Sequence, residues 1–111
     1  MAATDYGSAS ETLADGEVAT VEIDTTRADS AMLYVDAGTE GSTPARYTLR
    51  IAAFSPGGGS GLGRYQRYLD ETGRTDRSWQ LAATGTTMRF DIENTSGGSA
   101  QFDVTAEARN N

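Results

Sequence analysis

Apolar and polar residues alternate with a period of two along most of this chain, a pattern that predicts β-strands. The alternation is clearest in Glu17–Thr25, where Val21 and Ile23 lie on one side. Ala31–Ala37 is apolar on both faces, which is typical of a strand in the middle of a sheet. The other predicted strands are Asp5–Leu13, whose pattern is the weakest, Ala45–Phe54, Arg64–Glu71, Thr75–Ala83, Thr86–Asn94 and Ser99–Ala108.

The strands are separated by short segments rich in turn-forming residues, and no segment has the period of an amphipathic helix over three turns. The expected connections are Asp15-Gly16, Gly38–Pro44, Pro56–Gly63, Thr72-Gly73-Arg74, Thr84-Gly85 and Ser96–Gly98. Seven or eight strands at this spacing predict an all-β fold, a single antiparallel β-sandwich with jelly-roll or immunoglobulin-like topology. We expect residues 14–111 to form the sandwich and residues 1–13 to be an N-terminal segment that contacts neighbouring subunits.

The inward-facing positions of these strands form the predicted core. Its size is modest, because apolar residues make up only 37% of the 111 residues. The predicted core residues are Val21, Ile23, Leu33, Val35, Tyr47, Leu49, Ile51, Trp79, Leu81, Met88, Phe90, Ile92, Phe102 and Val104.

Charge adds information about the environment. Nine arginines stand against sixteen Asp and Glu, the chain has no lysine, and its net charge is −7. Like charges at this density repel in dilute buffer and are screened at molar ionic strength, where the Debye length is about 3 Å. The composition therefore predicts a protein adapted to high salt, and it disfavours nucleic acid as a partner.

The charges are also divided along the chain. Residues 1–45 hold nine acids and one arginine, whereas residues 46–89 hold seven arginines and three acids. This division would suit contacts between subunits, where guanidinium groups meet carboxylates. The alternative is that the segments interleave in one sheet and neutralise each other. The candidate interface residues are Arg46, Arg50, Arg64, Arg67, Arg77 and, at the tip of the glycine-rich loop, Leu62.

Little catalytic chemistry is open to this chain, which has no histidine, lysine or cysteine. It lacks the usual base for a serine nucleophile and the usual zinc ligands. The carboxylate pairs Glu22/Asp24 and Asp91/Glu93 lie at alternate positions, where a solvent-facing role is expected. We therefore predict no enzymatic activity and no cofactor. A calcium or sodium ion at Asp15/Glu17 or Asp36/Glu40 is an open alternative.

Two local motifs resemble functional signatures. The glycine-rich segment Ser55–Arg64 has the glycine spacing of a phosphate-binding loop, but Arg64-Tyr65 stands where Lys-Ser/Thr is required, so it is interpreted as a connection. Asn94-Thr95-Ser96 matches an N-glycosylation acceptor, although the sequence shows no export signal. No transmembrane segment is predicted.

Aromatic residues offer a further possibility. Tyr65, Tyr68 and Trp79 could stack on sugar rings. Trp79 is in phase with Leu81, however, which favours a place in the core. In a regular strand, Tyr65 and Tyr68 would face opposite ways.

The segment Met88–Gly98, followed by an alternating last strand, is similar to the terminal hairpin of many small β-sandwiches of virions and tails. Together with the absence of lysine and cysteine, it makes the chain resemble virion structural proteins of viruses of halophilic archaea. The resemblance implies a non-enzymatic capsid decoration, turret or tail protein, a homo-oligomer that binds a major capsid or tail protein. It would be located in the virion after synthesis in the host cytoplasm. The alternative is a module that binds carbohydrate or a host surface.

Overall fold

A computed structural model describes residues 2–38, 44–58 and 62–110, with the backbone alone for residues 2, 55–58 and 62–68. All its regular elements are strands, as the alternating sequence predicts. They are β1 (Ala2–Leu13), β2 (Val18–Asp24), β3 (Ser30–Gly38), β4 (Tyr47–Gly58), β5 (Leu62–Arg74), β6 (Ser78–Ala82), β7 (Thr87–Asn94) and β8 (Ala100–Asn110).

The strands form two four-stranded antiparallel sheets that pack face to face. The first has the order β1-β8-β3-β6 and the second the order β2-β7-β4-β5. Successive strands lie in opposite sheets except β4 and β5, which pair with each other in the second sheet. This is the pattern of two Greek keys that defines the jelly roll. The predicted β-sandwich is confirmed, and of the two topologies left open by the sequence, the strand order selects the jelly roll. The central position predicted for β3 is also confirmed.

The core lies between the sheets and consists of the inward-facing residues of both. Twelve of the fourteen predicted core residues are buried, while Trp79 and Leu81 on the edge strand β6 are only partly buried and pack against the others. Alanines outside the predicted list complete the core. They let the sheets approach closely, and they are Ala19, Ala31, Ala37, Ala45, Ala53, Ala100, Ala106 and Ala108.

The N-terminal segment is a full strand of the sandwich. β1 pairs with β8 from Ala2 to Leu13, with one register shift near its start. It also crosses β2 closely, since a Cβ atom on Gly7 would lie 2.9 Å from both the Glu22 carbonyl oxygen and Val21 Cγ1. The amide of Asp24 donates to Asp5 Oδ2 at 2.6 Å and fastens the two strands. That this segment also contacts neighbouring subunits stays a prediction.

Two predicted connections differ in the structure. The turn expected at Thr72-Gly73-Arg74 is a bulge within β5, because two residues there oppose Thr48 and the positive φ of Gly73 accommodates the extra one. The glycine-rich connection is shorter than expected, because β4 continues to Gly58 and β5 begins at Leu62. Phe54 is the last residue of β4 that pairs with β7. In the described residues beyond it, β4 pairs only with β5.

Candidate functional site

The outer face of the first sheet carries the two most exposed tyrosines among the described residues. Tyr6 on β1 is 59% exposed and Tyr34 on β3 is 39% exposed. Between them runs β8, whose residue Glu107 pairs with both Tyr6 and Met32. We call the surface formed by Tyr6, Met32, Tyr34, Glu107 and Arg109 the tyrosine face.

The geometry of the tyrosine face follows from the pleat of the sheet. Tyr6 and Tyr34 lie two strand spacings apart, with β8 between them, and are offset by two residues along β8, since Tyr6 pairs with Glu107 and Tyr34 with Thr105. Their backbones therefore lie about 12 Å apart, from strand spacings of about 4.8 Å and a rise of about 3.4 Å per residue. Of the three strands that carry this surface, β8 and β3 are internal and pair on both sides, whereas β1, which carries Tyr6, is an edge strand that pairs only with β8.

An ion pair lies at one end of the tyrosine face. The Nε and Nη2 atoms of Arg109 donate to Glu107 Oε2 at 2.9 and 2.7 Å. This hydrogen bond raises the pKa of Arg109, and the nearby hydroxyl of Tyr34 contributes in the same direction. The tyrosine face therefore combines two aromatic rings with a carboxylate that can accept hydrogen bonds and a guanidinium that can donate them.

The neighbouring part of the same sheet surface is bonded internally. Ser10 donates to the carboxylate of Asp103, Thr12 donates to Gln101 Oε1 at 2.8 Å, and Gln101 Nε2 donates back to Ser10 at 3.2 Å. These polar groups are satisfied across β1 and β8. The tyrosine face differs from this part of the sheet in exposing two aromatic rings.

The candidate interface arginines with described side chains make contacts within the chain. Arg50 lies 3.2 Å from Glu93 and 3.6 Å from Asp70, so it joins three strands of the second sheet. Arg77 lies 3.8 Å from Asp36, and Arg46 donates to the carbonyl of Gly73 at 3.2 Å. For Arg50 and Arg77 the structure shows neutralisation within the sandwich. Their role at an interface stays a prediction.

Other candidates fall where only the backbone is described. Leu62, Arg64 and Arg67 lie on β5, as do Tyr65 and Tyr68, and their side chains are outside the described part of the structure. A register shift leaves Tyr68 as an extra residue between those paired with Ile51 and Ala52. The regular strand assumed in comparing Tyr65 with Tyr68 is therefore interrupted. Their proposed roles at an interface or in stacking stay predictions.

Trp79, the third candidate for sugar stacking, has partners inside the molecule. Its ring meets the buried ring of Tyr47 edge to face with centroids 6.2 Å apart. The guanidinium carbon of Arg74 lies 5.6 Å from the centre of the tryptophan ring. These contacts agree with the predicted packing of Trp79 against the core and leave less of its surface for a ligand.

The glycosylation motif has a structural role. Asn94 is completely buried, and its Nδ2 donates to the carbonyls of Leu13 at 2.9 Å and Gly98 at 2.8 Å. Its Oδ1 accepts from both the amide and the hydroxyl of Ser96. The side chain thus ties the turn between β7 and β8 to the end of β1. In the folded protein it is inaccessible to a glycosyl donor.

The carboxylates considered for catalysis or cation binding are mostly engaged in local structure. Glu22 and Asp24 are exposed, as expected, and hydrogen bonds from the side chain and amide of Thr26 lower the pKa of Asp24. Asp15 accepts from the amide of Gly97 and Glu17 from that of Ala14.

Asp91 lies 3.2 Å from Arg89, and Glu40 is outside the described residues. In the described ranges, no three acidic, histidine or cysteine side chains form a group that could hold a metal ion. Nor does any helix in those ranges have the length and apolar character needed to cross a membrane.

Sequence reasoning missed the tyrosine face. Tyr34 lies in a segment interpreted as apolar on both faces, and Tyr6 lies in the most weakly predicted strand. Bringing them together depends on the pairing of β1 and β3 with opposite sides of β8. That pairing joins residues more than seventy positions apart, so local periodicity carries no signal for it.

No protein-family model matches this chain, and no curated protein matches it in sequence. Solved structures do match in fold. The mitogen of Yersinia pseudotuberculosis has a TM-score of 0.56 at 12% identity, over 96% of this chain and 87% of its own. The vertex protein P5 of PRD1 has a TM-score of 0.53 at 11% identity, over 99% of this chain and 100% of its own.

A GH29 fucosidase of Ruminococcus gnavus, solved in complex with fucose, has a TM-score of 0.58 at 8% identity. The match covers 92% of this chain but only 20% of the fucosidase, so the chain corresponds to a fraction of that enzyme. At these identities the likeness concerns the fold alone. The chain therefore has a β-sandwich fold similar to those of a viral vertex protein and of part of a glycoside hydrolase.

Proposed function

We propose that this protein is a non-enzymatic structural component of a virus particle surface, adapted to high salt. The observation that carries the proposal is the fold likeness to PRD1 vertex protein P5, which extends over nearly the whole of both chains. The role of this chain would be that of a capsid decoration, turret or tail module.

The surface charges support assembly through polar contacts. Arg77 and Asp36 form a widely spaced pair whose side chains are 63% and 70% exposed. Exposed pairs of this kind contribute at most about 1 kcal/mol, so Arg77 can exchange its partner for a carboxylate on another subunit at little cost. Arg46 is also exposed. The expected partners are further copies of this chain and a major capsid or tail protein.

The proposal is tested on particles from a culture whose cells or virus carry the gene. Particles purified by density gradient in high salt are analysed by quantitative mass spectrometry and by immunogold electron microscopy. The chain should copurify with particles at a fixed ratio to the major capsid protein and label their surface. Recovery of the chain only from the cellular fraction, with none on the particles, would overturn the proposal.

A further inference from the structure

We propose that the tyrosine face binds a neutral oligosaccharide. This site differs from the one inferred from Tyr65, Tyr68 and Trp79, and it does not depend on the assignment of the protein to a virus particle. Its two tyrosines lie on the same side of one sheet, Tyr34 on the internal strand β3 and Tyr6 on the edge strand β1, and Glu107 of β8 lies beside Tyr6. The chemistry of each component points to the same class of ligand.

The aromatic components fit the apolar faces of sugar rings. Tyr6 and Tyr34 expose 59% and 39% of their surface, although a tyrosine gains stability from burial of its ring. A separation of about 12 Å between their backbones is wider than one pyranose ring. Two such contacts are therefore suited to an oligosaccharide that reaches from one tyrosine to the other across β8.

The polar components fit sugar hydroxyl groups, each of which can donate and accept a hydrogen bond. Glu107 offers a carboxylate acceptor, and the hydrogen bonds that Arg109 donates to its Oε2 hold the two side chains against each other. Both side chains are partly buried, with 25% and 29% exposure, and their mutual hydrogen bonds favour one arrangement before a ligand arrives. Such preorganisation lowers the entropy cost of binding.

The charge of the surface selects among carbohydrates. The sheet that carries the tyrosine face also exposes Asp36 and Asp103, and the whole chain has a net charge of −7. Sialylated or sulfated glycans would meet this field unfavourably at low ionic strength. In molar salt, where the Debye length is about 3 Å, only a carboxylate in direct contact with the ligand, such as Glu107, would still oppose them. A neutral oligosaccharide carries no such penalty.

The test uses the purified chain in high salt and saturation-transfer NMR, followed by calorimetric titration. The neutral probes are cellohexaose, maltohexaose, mannohexaose and 2′-fucosyllactose, and a hyaluronan hexasaccharide is the anionic comparison. We expect at least one neutral probe to bind, with no binding of the anionic one. Tyr34→Ala should weaken binding at least about tenfold, and Tyr6→Ala together with Tyr34→Ala should abolish it.

The matched control is Val18→Ala, which removes an exposed apolar side chain, 45% exposed, from the other sheet and should leave the affinity unchanged. Circular dichroism and thermal melts verify that each variant folds. The inference is overturned if no neutral probe binds, if the double tyrosine variant binds as well as the original, or if the anionic probe is preferred. It is also overturned if the tyrosine variants instead change the oligomeric mass, since the face would then contact a second copy.

Discussion

At the scale of single residues, buried polar groups fix the geometry of this sandwich. Asn94 is completely buried, and Tyr47 is buried with its hydroxyl bonded to the carbonyl of Asp76. Thr25, also buried, donates to the carbonyls of Thr84 and Gly85. Each group joins segments that are far apart in sequence. Their loss should therefore be costly, because the partner carbonyls would remain buried without a donor.

Asn94→Ala tests the most connected of these groups. The change leaves the carbonyls of Leu13 and Gly98 without a side-chain donor, and we expect the free energy of unfolding to fall by about 2–4 kcal/mol. Urea denaturation in high salt measures it. The control Asn110→Ala, at an exposed position, should change stability by less than about 0.5 kcal/mol. Equal effects of the two variants would contradict this account of Asn94.

Tyr47 should make the stability of the folded protein depend on pH. Burial raises the pKa of its hydroxyl, and the neighbouring Asp76 adds to the increase. A raised pKa in the folded state means that the contribution to stability is complete below the unfolded value of about 10 and is lost as the pH rises above it. Between the unfolded and the folded pKa, the free energy of unfolding should fall by about 1.4 kcal/mol for each pH unit.

Tyr47→Phe removes this titration together with the hydrogen bond to Asp76. At pH 7 the variant should be less stable by about 1–2 kcal/mol, and the difference should shrink as the pH rises above about 10. Denaturation curves of both proteins, recorded from pH 7 to above about pH 10, measure this difference. Stability curves for the two proteins that stay parallel above pH 10 would show that Tyr47 has no such role.

At the scale of elements, the sequence predicted the strands better than it predicted their connections and pairing. Alternation in Glu17–Thr25 and Thr86–Asn94 identifies β2 and β7 almost to the residue, since one face of each is buried. β1 gave the weakest prediction because Asp5, Gly7 and Glu11 occupy the same side of the strand as Leu13, while the large ring of Tyr6 lies on the outer side. The bulge at Gly73 resembled a turn because both use a glycine with positive φ.

The tyrosine face was not predicted because its formation depends on which strands pair. The rings of Tyr6 and Tyr34 share a face only because β8 lies between their strands, and strand order is set by the packing of the whole core. Trp79, by contrast, was placed correctly against the core from its phase with Leu81. Local pattern thus predicts the burial of a side chain, while long-range pairing determines which exposed side chains meet.

Gly7→Ala tests the crossing of β1 over β2. The new Cβ would lie 2.9 Å from the Glu22 carbonyl oxygen and from Val21 Cγ1, so β1 must shift, and we expect a loss of about 1–3 kcal/mol. The control Gly98→Ala introduces a Cβ with no atom within 4 Å and should be nearly neutral. Thermal unfolding of both variants measures the difference. A Gly7→Ala protein as stable as the Gly98→Ala protein would rule out close packing at this crossing.

At the scale of the whole molecule, internal ion pairs offset part of the charge but leave a strong acidic excess. Arg50 and Arg89 pair with carboxylates of the second sheet, and Arg74 pairs with Asp76 just after β5. In the first sheet, Arg109 pairs with Glu107. The net charge of −7 remains on a sandwich of 111 residues. Screening by concentrated salt should therefore favour both the folded sandwich and its association with other acidic copies.

The most direct test of the proposed assembly role is light scattering coupled to size exclusion, run at ~3 M and at ~0.2 M salt, conditions that differ strongly in screening. We expect a defined oligomer at high salt that dissociates or unfolds at low salt. Arg77→Glu should weaken the oligomer, whereas Arg27→Glu, the same change in charge at another exposed site, should not. A stable monomer at both salt concentrations would contradict the assembly role.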